Sequence, residues 1–200
     1  ELSHADLIRN SILMGLSRKE QERIFRKFWE PIEINARNLD VNGSRVSDFI
    51  RDFLTLKQKD IPNKGAVYEN FKKRYPLPNS PDLMEALEEM RELSNVYARI
   101  LNPRLENDKV LSRELYYIKT LEINVAYPFL MPVYRDFVGG MILRDELLSV
   151  LRLVQSYVWR RFILGLPTSA LNKIFMNLYD RIDPADYLAS IERSLMQRSG

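Results

Sequence analysis

The chain contains no cysteine and a single histidine, His4. Without thiols there is no disulfide, no thiolate nucleophile and no cysteine-ligated metal. With one imidazole, a serine triad has only His4 to serve as its base, and a zinc site would need carboxylates almost alone. His4 falls in the first turn of an expected helix, where a surface position is the simpler reading than a catalytic one. Seven glycines in 200 residues are about half the usual share, which fits a fold with few tight turns. No Gly-rich phosphate loop is present, because Gly139-Gly140 is not followed by Gly-Lys-Ser/Thr. The longest apolar run, 123–134, is too short to span a bilayer and carries Pro128 and Pro132. The chain starts at Glu1, without an initiator methionine or a charged-then-apolar leader. The expectation is a segment of a longer cytoplasmic protein, with no membrane partner and no catalytic, cofactor-binding or metal-binding residue of its own.

What is present is helical patterning. A hydrophobic fraction of 46% with 28% charged residues is that of an ordinary globular protein. Ser3 with Asp6, and Ser17 with Glu20, have the spacing of capping boxes. Ser47 is expected to cap a stretch carrying Phe49, Ile50, Phe53 and Leu54, and Val67, Phe71 and Tyr75 recur four apart. Pro31 is expected to interrupt the helix begun at Ser17. Ser80-Pro81-Asp82 opens a helix by cap, proline at the first position and acid at the positive dipole end. Pro128 opens another, bent at Pro132, and Gly139-Gly140 breaks the chain. A long helix over 143–164 ends at Gly165, Thr168 caps the next, and Asp183-Pro184 opens the last. No stretch alternates with period two. The expected fold is an all-α multi-helix bundle of eight to eleven helices with no sheet. It forms a single helical domain over 1–200, with sub-lobes 1–78 and 79–200.

Charge is distributed unevenly. Residues 1–80 carry 15 Lys+Arg against 11 Asp+Glu, residues 81–150 carry 8 against 12, and residues 151–200 carry 7 against 4. The run Lys72-Lys73-Arg74 supplies candidate phosphate contacts; alternatively it is a polar helix end favoured by the dipole. Glu85, Glu88, Glu89 and Glu92 read as the solvated side of one helix rather than as an acid/base pair. On the long helix, Leu143, Leu147, Val150, Val154 and Tyr157 define an apolar stripe whose next member is Arg161, so Arg161 points inward and Arg160 outward. A guanidinium against a core must find acceptors. Arg161 therefore ties down a carboxylate or the carbonyls of a helix end, or it lines a polar cleft.

The same region carries a resemblance. The stretch 156–175, with Trp159-Arg160-Arg161-Phe162, Gly165-Leu166-Pro167-Thr168 and Asn172, resembles the helical region of GmrSD-type restriction endonucleases. The stretches Ala5-Asp6-Leu7-Ile8-Arg9-Asn10, 48–57, 67–72 and Tyr127-Pro128-Phe129-Leu130 are similar as well. The resemblance implies a parent protein with a ParB-like, DGQQR-bearing N-terminal domain that hydrolyses a nucleotide. A helical middle follows, and often a C-terminal HNH nuclease, in systems that cut DNA carrying modified bases or a modified backbone. A nucleoside triphosphate and a divalent metal are implied for the parent, and the flanking nucleotide-binding and nuclease domains are implied as partners, with DNA as a further one. The DGQQR motif and the HNH histidines are missing from this chain, so no catalytic residue is carried over. Arg160, Arg161, Thr168 and Asn172 are carried over as signature positions only. The expected function is a scaffold coupling the two catalytic domains, with the chain itself not an enzyme. The alternative is an independent helical module that binds nucleic acid or protein.

Overall fold

The computed structural model describes residues 2–197. The chain divides into two compact units, Glu1–Leu101 and Asn102–Gly200. The boundary lies at the end of a long helix and not in the proline-containing loop at 75–79, because that helix packs on the elements before it.

In the first unit the order is α1 (His4–Leu13), α2 (Arg18–Ile24), a π turn (Phe25–Trp29), α3 (Glu30–Asn35), a short hairpin, α4 (Val46–Gln58), α5 (Val67–Arg74) and α6 (Pro81–Leu101). Both expected capping boxes form, with Ser3 Oγ accepting from the Asp6 amide and Ser17 Oγ from that of Glu20. Ser80 Oγ likewise accepts from the Leu83 amide at the start of α6 (3.2 Å). Helix α6 packs against α3, the π turn and α4, and α1 packs against α4 and α5. Ile8, Phe28, Trp29, Phe49, Phe53, Leu87 and Tyr97 are buried between them, and each large side chain so buried stabilises by about 1.5–3 kcal/mol.

Three local expectations are corrected here. Pro31 does not break the helix: α2 and α3 run on through the π turn, in which the Glu30 amide bonds to the Phe25 carbonyl. A proline lacks an N–H and crowds the carbonyl four residues back, and a widened turn just before it accommodates both demands. Ser47 does not cap α4, which begins one residue earlier. Its hydroxyl accepts instead from the Ala5 amide (3.2 Å), joining α4 to the start of α1. The expectation of no sheet fails at one point, where Arg37–Asn38 pairs antiparallel with Gly43–Ser44. Asn42 turns the chain there at φ 50°, and Arg37 Nε donates to its side-chain oxygen (2.9 Å). Two residues per strand leave no room for an alternating pattern.

The second unit contains α7 (Lys109–Thr120), α8 (Tyr127–Val138), α9 (Arg144–Ile163), α10 (Ser169–Leu178) and α11 (Tyr187–Met196). Among the described residues this makes eleven α-helical segments, the first unit's α2 and α3 forming one rod. The architecture is all-α, and among the described residues no helix is long and apolar enough to cross a membrane. Helix α9 packs against α7, α8 and α11, and α10 against α8. Leu111, Leu115, Phe129, Val133, Leu147, Val150, Leu151 and Phe175 form the core, with the Phe129 and Phe175 rings 6.1 Å apart. Leu143, read as the first member of the α9 stripe, is exposed. It stands at the cap position, where its amide donates to Glu146 (2.8 Å).

Candidate functional site

The corner between α9 and α10 carries the sequence-predicted arginines. From Tyr157 the next residue on the buried side is four positions on, and Arg161 is 8% exposed whereas Arg160 faces solvent. Gly165 then ends α9 in the left-handed region (φ 64°), a conformation that a side chain makes costly. The Leu166 amide bonds back to the Arg161 carbonyl (3.0 Å), so the turn folds over the guanidinium. Arg161 Nη2 donates to the Pro167 carbonyl at a long 3.4 Å, and the guanidinium lies 5.7 Å from the Tyr157 ring centroid. Its Nε is buried without a hydrogen-bond partner, and so is the Tyr157 hydroxyl. Among the described residues, no carboxylate pairs with Arg161. Of the three roles its position allowed, the structure contains a single long carbonyl contact and a cleft, and no carboxylate tie.

That cleft has a volume of about 380 Å³ and lies between the end of α9, the Leu166 turn and α11. Tyr157, Arg160 and Arg161 line it together with Leu153, Leu195 and Met196, and Glu192 is its acidic member. The volume is at the small end of the range for ligand sites. The other side of the α9 end is apolar and open. Trp159 and Phe162 stack on each other (5.7 Å, interplanar 25°), and Phe162 and Ile163 are 69% and 65% exposed. Exposed apolar side chains grouped in this way mark interaction surfaces more often than scattered ones do. The buried stripe of α9 that the spacing predicts does not include this surface. The available signal was Trp159, Phe162 and Ile163 at positions that should be polar.

Thr168 and Asn172 are not brought to the arginines by any hydrogen bond among the described residues. Thr168 precedes α10, but its side chain makes no capping bond, its backbone already being helical (φ −71°, ψ −23°). Asn172 is half-buried on the second turn of α10. Lys72, Lys73 and Arg74 belong to the first unit and are exposed in the last turn of α5, where the dipole favours cations. Lys72 lies 5.8 Å from the Tyr68 ring and Arg74 5.3 Å from the Tyr75 ring, and none of the three pairs with a described carboxylate.

Several other titratable groups have structural partners. Glu88 binds Lys27 and Arg91, and Glu89 binds Lys57. His4 is half-buried, its Nδ1 without a partner. Burial pushes the Asp52 carboxyl on α4 well above the usual range. Two buried networks in the second unit were not foreseen. Asp136 accepts from the hydroxyls of Tyr179 (3.1 Å) and Tyr187 (2.7 Å), and burial followed by this carboxylate pushes the Tyr187 hydroxyl far up. Glu114 accepts from Gln155, Arg113 and Arg152. Burial alone would raise its carboxyl, but these donors outweigh it and hold the group below the ordinary value. Among the described residues no group of three His, Asp or Glu side chains is arranged to hold a metal ion. Comparison of the chain with family models, with curated proteins and with solved structures returns no match in any of the three.

Proposed function

We propose that this chain is the helical scaffold region of a GmrSD-like anti-phage restriction protein that cleaves modified DNA. In this reading it couples a nucleotide-hydrolysing domain to a nuclease, both lying outside the chain, and acts in the cytoplasm. The observation that carries it is the α9–α10 corner, because the stretch with the most specific resemblance folds into one compact feature. Its inner face holds Arg161, and its outer face leaves Trp159, Phe162 and Ile163 uncovered. A rigid helix ending in exposed apolar side chains is the kind of element that transmits a domain movement, since packed helices shift as bodies. The nucleoside triphosphate and divalent metal belong to the flanking domains in this reading.

The reading is tested in the full-length parent. Nucleotide hydrolysis and cleavage of modified DNA are expected there, and neither in the isolated chain. Trp159→Ser with Phe162→Ser is expected to leave nucleotide hydrolysis intact while DNA cleavage falls. Unaltered cleavage in that variant, or hydrolysis by the isolated chain, overturns the scaffold reading. A second reading, an independent nucleic-acid-binding module, is favoured by the exposed and unpaired Lys72, Lys73 and Arg74. It requires the isolated chain to bind DNA with an affinity that falls steeply with salt.

A further inference from the structure

The cleft at the end of α9 poses a physical problem that is independent of the restriction reading. A guanidinium offers five N–H donors. Arg161, 8% exposed, uses one of them in a 3.4 Å contact, and its buried Nε has no acceptor. The negative end of the α9 dipole and the Tyr157 ring offset part of the cost of burying this charge. Neither offers the in-plane acceptor pair that a planar fork is built to meet. The Tyr157 hydroxyl, on a side chain also 8% exposed, is a second buried donor without an acceptor. Both residues line the same cleft, whose other walls include Leu153, Leu195 and Met196. Arg91 makes the contrast clear: its Nε is also buried without a partner, but its guanidinium is held by Glu88.

We infer that this cleft binds an aliphatic carboxylate, the head meeting Arg161 and the Tyr157 hydroxyl and the apolar body lying on the leucine and methionine side chains. Arg160 adds positive charge at the cleft, and among the described residues Glu192 is the one acidic side chain lining it. The net local charge therefore favours an anion. About 380 Å³ accommodates a small ligand, so the carboxylate arrives either as a free amphipathic acid or as a Glu side chain flanked by leucine in a partner polypeptide.

The test uses the full chain and two probes, octanoate and the acetylated, amidated tripeptide Leu-Glu-Leu, with 1-octanol and Leu-Gln-Leu as uncharged counterparts. Binding is read by titration calorimetry and by shifts of the Tyr157 and Leu195 NMR signals. Saturable binding of octanoate or of Leu-Glu-Leu is expected, about tenfold or more tighter than its uncharged counterpart, as hydrogen bonds to a charged group imply. The tighter of the two probes identifies the source. Arg161→Lys keeps a cation but loses the fork and is expected to lower the selectivity. Arg161→Met is expected to abolish it, Tyr157→Phe to weaken binding and Glu192→Gln to tighten it. Equal binding of charged and uncharged probes, or no saturable binding of either carboxylate by the wild-type chain, overturns the proposal. These two outcomes need no variant to fold, and neither bears on the scaffold reading.

Discussion

The two units solve the same problem, how to hold helices together, with polar groups in different places. In the first unit, ion pairs link helices near the surface: Arg9 to Glu33 (3.0 Å), Lys27 to Glu88 (3.1 Å) and Lys57 to Glu89 (2.7 Å). Its buried hydroxyls, Thr55 and Ser94, bond to carbonyls of their own helices. Among the described residues, the charged side chains that lie inside belong to the second unit, apart from Asp52 in the first, whose carboxyl burial pushes up. Asp136, Glu114 and Arg161 are 7%, 5% and 8% exposed. Two of these three are saturated by donors from other segments, and the third is not. Surface pairs contribute little and tolerate loss, whereas a buried charge commits its neighbours to satisfying it. A buried charge left unsatisfied is thus the more informative observation, and it points to the α9–α10 corner.

The largest effect that would sharpen this contrast is expected at Asp136. Asp136→Ala strands two tyrosine hydroxyls and should cost roughly 3 kcal/mol, read by chemical denaturation; a loss below that of a surface pair would break the comparison. At Arg161, the alanine variant is expected to lower Tm by roughly 3–6 °C through lost packing, while Arg161→Met, which fills the space without charge, holds or raises it. Arg160→Ala should stay within about 0.5 kcal/mol of wild type. Equal, small shifts from both arginine-to-alanine changes would mean that the buried position carries no structural weight.

Glu114 should show itself through pH. Its folded carboxyl lies below the ordinary glutamate value of 4.5, so its stabilisation is complete above that value and fades as pH falls through the folded one. The stability gap between wild type and Glu114→Gln should therefore be constant from neutral pH down to about 5 and shrink below 4.5. A gap that widens in acid would reverse the assignment. The smallest effect is expected at the surface, where Lys57→Ala should cost about 0.5 kcal/mol and less at high salt.

Much of the fold was legible because its signals are local. Ser3 and Ser17 cap the helices that follow them, Ser80 receives the Leu83 amide, and Gly165 takes the left-handed turn that ends α9. The inward phase of Arg161 follows from the four-residue spacing to Tyr157. Some misreadings are cases in which a distant group altered a local preference, and others, at Leu143 and Thr168, turn on backbone geometry at a helix start. Ser47 turned from its own helix to the Ala5 amide, Pro31 was absorbed by a π turn packed on α6, and Leu143 was left outside at a cap. Asp136 and Glu114 could not be recognised because their donors come from residues up to 51 and 41 positions away.

By itself, then, the sequence determined the helical character, most helix ends and the faces that turn inward, since these depend on spacing of a few residues and on backbone groups within one turn. Which buried charges would be answered, and which would be left facing a cleft, was decided only in the tertiary structure. A carboxylate or guanidinium taken out of water needs acceptors and donors in particular directions, and only the packing of α7 on α9, and of α8 with the segments that carry Tyr179 and Tyr187, brings those groups together.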